Sequence, residues 1–249
     1  NFIVHDLCFL EATKKKKFGF IKRYLLNRRI KELSNYQKTK IFSPRKCTLK
    51  EISKKYNISK QKLIEIPIPY FFGNEWDIKN NKYITKYQFP YVLFISNSRK
   101  RKGISFLKEI IEKSFPAKFI IVGDINLKNI LKSYSNVNVL VNIPNPEVAS
   151  LIINCSMLIS TSSCEGLCLP VCRSISLNKK TAAISLEIYN SNEFKNLIRI
   201  DINNIDPLIN EINSVINNFK KTNYNKLQKF INKEQFKEKE LINLIEKNV

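Results

Sequence analysis

Residues 157–173 read Met157-Leu-Ile-Ser-Thr-Ser-Ser-Cys-Glu-Gly-Leu-Cys-Leu-Pro-Val-Cys-Arg173. A short apolar run breaks into small hydroxyls, then Glu165-Gly166, then Pro170. An unbroken apolar run suits a strand buried on both faces of a sheet. Pro170 suits a first helical turn, where its missing N–H would have no partner in any case. The stretch therefore predicts a buried strand, a tight loop and a helix N-terminus. Open α/β sheets bind ligands outside the carboxyl ends of their strands, and a helix N-terminus turns its backbone N–H groups toward any phosphate there. Glu165 sits in that loop. By itself a Glu-Gly pair is an ordinary turn, since Gly supplies the positive φ many loops need. The rest of the chain decides what the pair means.

Tyr91–Ile95 is a buried-type strand and Ser96–Lys102 a polar loop holding four cations. Gly103–Ser114 follows as an amphipathic helix with Ile104, Leu107, Ile110 and Ile111 turned inward. Strand, basic loop and helix make a phosphate-binding layout. Lys118–Asp124 is the next strand, closing on Gly123-Asp124. Leu127–Tyr134 reads as a helix, Val137–Val141 as a strand, and Pro144-Asn145-Pro146 as a loop opening the helix Glu147–Ile153. After Arg173 come a helix to Leu177, a strand Lys180–Ser185, the run Ile198–Asp201 and a helix opened by Asp206-Pro207.

Upstream, Phe2–Asp6 is a strand carrying His5, the only histidine. Lys14–Lys40 is strongly basic with apolar residues at mainly helical spacings, which fits either a core helix with a cationic outer face or a membrane-surface helix. Lys40–Ser43 reads as a strand, and Thr48-Leu-Lys-Glu51 has the form of a capping box opening the helix Leu49–Tyr56. Asn57–Lys60 then precedes the run Lys62–Pro69. Phe71–Gln88 shows no clear period and reads as the link between domains.

The 249 residues suffice for one large or two modest domains, and 43% hydrophobic content excludes a disordered chain. Lys+Arg 43 against Asp+Glu 21 gives a formal charge of +22. Such a field attracts nucleotide-sugars, anionic head groups or nucleic acid alike, and a plainly solvated Lys-rich surface fits it equally. None of the six cysteines has the spacing of a zinc or redox pair, so reduced thiols in a cytoplasmic protein are expected. There is no signal peptide and no apolar run of about 18 residues, so no spanning segment is expected. The sequence does not open on Met and is expected to begin inside a longer protein.

Ser162-Ser163-Cys164-Glu165-Gly166-Leu167-Cys168-Leu169-Pro170-Val171-Cys172-Arg173-Ser174 resembles the signature of the retaining family 4 glycosyltransferases: Ser, then Glu-Gly-Phe-Gly-Leu-Pro-x-x-Glu-Ala. The first Glu, its Gly and the Leu-Pro pair match. Cys168 stands for the second Gly and Arg173 for the second Glu. The family's Arg-Lys-Asn or Lys-Gly is met by Arg101-Lys102-Gly103, and its Gly after that strand is Ser96 here.

The resemblance implies an α/β protein of the GT-B fold, with two Rossmann-like domains of which the N-terminal is only partly present. Residues 1–80 would be a partial acceptor-side domain, 81–88 a linker, and 89–249 the nucleotide-sugar-binding domain. A final crossover helix is expected over Phe236–Lys247. The implied function is transfer of a sugar from a nucleotide-sugar to a glycan or lipid-linked acceptor. Glu165 and His5 would be catalytic. Arg101, Lys102, Asn142, Ile143, Gly166, Leu167, Leu169 and Arg173 would hold the donor. No cofactor or metal is expected. Arg173 has only donors, so it cannot accept the ribose hydrogen bonds of the Glu it replaces. The expected location is cytoplasmic and peripheral on a membrane's inner face, with an anionic membrane surface as a further partner. A noncatalytic glycosyltransferase-like scaffold or basic binding protein is the alternative. Nucleic acid is not an expected partner, since no recognised motif with interleaved aromatics is present.

Overall fold

The structure is a computed structural model that describes residues 2–3, 19–36, 39–66, 68, 70–71, 76–232 and 241. The chain forms two compact units. The first comprises residues 1–69, 164–168 and 237–249, and the second 70–163 and 169–236.

In the first unit, β1 (Phe2–Ile3), β2 (Ile41–Ser43) and β3 (Leu63–Glu65) form a parallel sheet in the order β1-β2-β3. Between them run α1 (Gly19–Asn35) and α2 (Lys46–Tyr56). Buried Ile30, Ile41, Ile52 and Ile58 make a small core, with Tyr56 and Leu63 packed against it. The expected capping box does not form. The cap of α2 is Arg45, in extended backbone, and its side chain makes no capping hydrogen bond to the helix. Thr48 is already the third helical residue and is buried, so its hydroxyl is not at the helix mouth. The far end is closed by Asn57 at φ 53, the left-handed conformation a terminal Asn tolerates.

The second unit is built on β4 (Val92–Ile95), β5 (Phe119–Gly123), β6 (Val137–Val141), β7 (Met157–Ser160), β8 (Lys180–Ile184) and β9 (Ile198–Ile200). All pairs are parallel and the order is β6-β5-β4-β7-β8-β9. The helices are α3 (Ile104–Lys113), α4 (Ile125–Leu131), α5 (Asn145–Asn154), α6 (Leu169–Ser176) and α7 (Asp206–Asn217). The apolar runs of β4 and β7 are buried, as the sequence predicts for strands covered on both faces. Val92, Phe94, Leu107, Ile110, Ile121 and Ile159 belong to one core, to which α7 adds Leu208, Ile209 and Ile212. The chain lays β5 and β6 to one side of β4 and β7 to β9 to the other. The strand order thus reverses between β4 and β7, the place where such sheets bind ligands.

Residues 76–88, which include the expected linker, pack within this unit. The Asn81 amide donates to the Pro146 carbonyl at 2.8 Å, the Ser150 hydroxyl to the Tyr83 carbonyl at 2.6 Å and the Asn154 amide to the Ile84 carbonyl at 2.7 Å. Buried Glu147 accepts from Lys86 Nζ at 2.6 Å and from the Tyr87 hydroxyl. Residues 224–232 are helical. The crossover helix expected at Phe236–Lys247 lies outside the described residues, apart from helical Leu241. Among the described residues no helix is long and apolar enough to cross a membrane.

Candidate functional site

The loop after β4 is held from two sides. On one, Asp124 caps α4 by accepting from the Leu127 N–H at 2.8 Å. Its other oxygen takes the Ser98 N–H at 2.9 Å and the Ser98 hydroxyl at 3.0 Å. The Ser98 and Leu127 N–H groups hold the Asp124 carboxyl below its ordinary pKa, so it stays an acceptor through the neutral range.

On the other side, Lys100–Lys102 form a single tight turn, closed by the Lys102 N–H on the Arg99 carbonyl at 2.9 Å. The Arg101 carbonyl accepts from the Ser163 N–H at 2.9 Å, and the Lys102 carbonyl from the Thr161 hydroxyl at 2.7 Å. Both donors follow β7. Gly103 then enters α3 at φ 65, and a Cβ built there would lie 2.2 Å from the Thr161 carbonyl oxygen. Only a residue without a side chain fits this approach and this backbone conformation.

The backbone under Arg101 and Lys102 is therefore fixed across the β4/β7 reversal, while both side chains remain partly exposed. No side chain caps α3. Its first N–H groups and the neighbouring cations lie at the carboxyl edge of the sheet, an arrangement suited to an anion. The hydroxyl of Ser96, at the end of β4, is buried without a hydrogen-bond partner. Leu169 and Pro170 open α6 after β7.

Asn142 and Ile143 follow β6, two strands from β4, or roughly 10 Å across the sheet. Asn142 has a positive φ of 55. Glu165, Gly166 and Leu167 belong to the 164–168 segment of the first unit, where Gly166 is buried and the other two half-buried. His5 lies outside the described residues. Cys164 is disulfide-bonded, which corrects the expectation of reduced thiols at that position, while Cys47, Cys155, Cys168 and Cys172 are outside any disulfide.

Arg173 is engaged within the second unit. Its Nε donates to the Tyr70 carbonyl at 2.6 Å and its guanidinium lies 4.9 Å from the centre of the Trp76 ring. The Tyr70 hydroxyl in turn donates to Glu193 at 2.7 Å, and Phe71 meets Trp76 edge-on at 4.5 Å. Sequence reasoning missed the ties made by Asp124, Thr161 and Ser163. A strand ending Gly-Asp with Leu three residues on was the legible trace of the first, because Asp commonly caps a helix by accepting from the third residue beyond it.

No family model matches the chain. No curated protein matches it either. Solved structures do. The glycosyltransferase WaaG, involved in lipopolysaccharide biosynthesis, aligns at TM-score 0.63 and 15% identity over 94% of this chain and 69% of that one. A glycosyltransferase from Rickettsia africae ESF-5 aligns at TM-score 0.58 and 16% identity over 86% of this chain and 62% of that one. The pneumococcal O-GlcNAc transferase GtfA, solved with UDP and GlcNAc, aligns at TM-score 0.53 and 13% identity over 86% of this chain and 46% of that one. The chain thus spans about two thirds of the first two and less than half of the third. The likeness shows the fold, which is GT-B.

Proposed function

We propose that the chain is a retaining glycosyltransferase of family 4, moving a sugar from a nucleotide-sugar to a glycan or lipid-linked acceptor without a metal ion. One observation carries the reading. A loop with Arg101 and Lys102 is tied by its own carbonyls to Thr161 and Ser163 at the β4/β7 reversal, beside an uncapped helix N-terminus. The match of Glu165-Gly166 and Leu169-Pro170 to the family signature, and the fold shared with glycosyltransferases, support it.

In the proposed reaction the bond between the sugar's anomeric carbon and the donor phosphate breaks, and its electron pair stays on the departing nucleoside diphosphate. The acceptor hydroxyl bonds to that carbon from the face the diphosphate leaves, and its proton goes to the diphosphate. Negative charge grows on the leaving group, so fixed cations and backbone N–H groups accelerate the step to the extent that they meet it there. Arg101, Lys102 and the Leu167–Pro170 backbone are assigned that work. Glu165 holds the donor sugar and stabilises positive charge on its ring, His5 serves the acceptor side, and Asn142 with Ile143 bracket the base. The family's ribose acceptor is missing at position 173. We assign Arg173 to anchoring Tyr70 and Trp76, on the strength of its bond to the first and its place over the ring of the second.

The test is calorimetric titration with a panel of nucleotide-sugars, followed by transfer assays in which the product's anomeric configuration is read by NMR. Binding of at least one donor, with transfer that keeps the configuration and falls on the order of a hundredfold in Glu165→Gln, is expected. A chain that binds no nucleotide-sugar is instead a noncatalytic scaffold.

A further inference from the structure

The mouth of α2 in the first unit repeats a pattern already met at the basic loop. In the second unit Ser96 follows β4 with its hydroxyl buried and unpaired, the cations of Arg99–Lys102 come next, and α3 opens without a side-chain cap. In the first unit β2 ends on Ser43, which is 0% exposed and whose hydroxyl makes no hydrogen bond. Pro44-Arg45-Lys46 then leads straight into α2, which also opens without a side-chain cap. Nothing in the proposed reaction uses this second arrangement.

Several donors gather there. Side chains alternate along a strand, so Ser43 shares a sheet face with Ile41. Ile41 packs with Ile52 of α2. The Ser43 hydroxyl therefore lies on the side that α2 covers, at the end of the strand from which α2 starts. The N–H groups of the first turn of α2 precede its hydrogen-bond ladder, which begins with the Leu49 N–H on the Arg45 carbonyl at 3.2 Å. Arg45 is only 9% exposed and stays charged at any working pH. The first turn holds no acidic residue. Glu65, the register partner of Ser43 on β3, is exposed and pairs with Lys46 at 3.5 Å, so these two charges offset each other. A hydroxyl removed from water and left without a partner destabilises the fold, and a helix N-terminus favours negative charge. One bound oxyanion would answer both.

We propose that the mouth of α2 is an oxyanion site, distinct from the Arg99–Lys102 loop, that takes a phosphate group. The Ser43 hydroxyl and the first N–H groups of α2 donate to its oxygens, and Arg45 supplies countercharge. Donors of different kinds in one place suit a tetrahedral phosphate better than a carboxylate with its single pair of oxygens. The recognised chemistry is the phosphate itself, whether free or carried as a monoester. This inference does not depend on the transferase reading.

The test follows the backbone amide resonances of Lys46, Cys47 and Thr48 in the isotope-labelled full chain during titration with inorganic phosphate and, separately, with glycerol phosphate. Saturable shifts are expected, with affinity lowered about tenfold in Ser43→Ala and in Arg45→Gln, the usual scale for losing a hydrogen bond to a charged group. Ser43→Ala decides alone should Arg45→Gln fail to fold. Thermal unfolding gives a readout that a merely structural Ser43 would not move. Without phosphate, Ser43→Ala should be at least as stable as the parent, because it removes an unpaired buried hydroxyl. Phosphate should raise the melting temperature of the parent and have much less effect on Ser43→Ala. Both experiments are repeated with Arg101→Ala and Lys102→Ala in place, so that phosphate bound at the other loop does not contribute. The Lys46–Thr48 shifts should persist there, whatever becomes of the donor site. Tighter binding of glycerol phosphate marks an esterified ligand, and equal binding marks free phosphate. Shifts that do not saturate, that Ser43→Ala leaves unchanged, or that vanish with the Arg101 and Lys102 charges each overturn the proposal. So does a Ser43→Ala protein whose melting temperature responds to phosphate as the parent's does.

Discussion

Lys102 and Thr161 are joined at two levels. The Thr161 hydroxyl donates to the Lys102 carbonyl at 2.7 Å, and the next residue, Gly103, leaves only 2.2 Å between a hypothetical Cβ and the Thr161 carbonyl oxygen. Gly103→Ala would therefore meet both a positive φ of 65 and a backbone clash. A loss of about 2–4 kcal/mol in urea unfolding is expected, with weaker nucleotide diphosphate binding alongside. Gly123→Ala should cost less, because the nearest atom to its added Cβ is the end of the Leu127 side chain, at 2.7 Å.

Arg101→Ala with Lys102→Ala should leave the backbone ties intact, since Thr161 and Ser163 hold main-chain carbonyls. Charge-assisted bonds to phosphate contribute about 1.5–3 kcal/mol each, so nucleoside diphosphate affinity should fall at least tenfold, and its salt dependence should flatten. Calorimetry at two ionic strengths reads both. Unchanged affinity would remove these residues from the donor site.

Arg173→Lys and Arg173→Glu separate anchoring from ligand contact. Lys keeps the charge but loses the planar guanidinium over Trp76, and Glu loses donor and cation together. Stability should drop by about 1 kcal/mol for Lys and about 2 kcal/mol or more for Glu. Trp76 is the only tryptophan, so intrinsic fluorescence reports directly on the loss of this anchor. An Arg173→Glu protein of native stability with tighter nucleotide binding would return position 173 to the ribose.

The bonds joining Lys86, Tyr87 and Glu147 give stability a definite pH dependence. Burial acts to raise the Glu147 pKa, but the bonds from Lys86 and Tyr87 outweigh it and the net shift is downward. The bond to Glu147 raises Lys86. Glu147 therefore stabilises the fold above the ordinary carboxylate range and loses that contribution as pH falls through its depressed folded value. Lys86 contributes fully below the ordinary lysine value of about 10.4 and loses it as pH rises through its raised one. Glu147→Gln should cost about 1–3 kcal/mol at neutral pH and flatten the acid side of the stability profile. Lys86→Met should cost less, since its side chain is 52% exposed and solvent screens the pair.

The strands and helices of the second unit were legible because each is a local pattern. Val92–Ile95 and Met157–Ser160 are unbroken apolar runs, and α3 repeats Leu107, Ile110 and Ile111 at helical spacing. Residues 76–88 were not. They are held by residues of α5 more than sixty positions away, at Pro146, Glu147, Ser150 and Asn154, and such bonds leave no period in the segment they hold. At the site, the cations of the basic loop could be read but not the carbonyls beneath them, since a backbone acceptor looks alike in every residue. Thr48 misled for a related reason. A capping pattern gives side-chain chemistry, but the helix start was decided by burial of that same Thr.

The strand order also ranks the steps of folding. Val92 finds Phe119 across 27 positions of chain, and Phe119 finds Val137 across 18, whereas Val92 meets Met157 only across 65. Closing the longest loop has the largest entropic cost, and it gains nothing until β7 arrives. The three strands β4, β5 and β6 can come together early, with the basic loop tethered by Asp124. The Thr161 and Ser163 bonds need β7 in place, so the loop acquires its final shape with the pairing around β4 that is most distant in sequence.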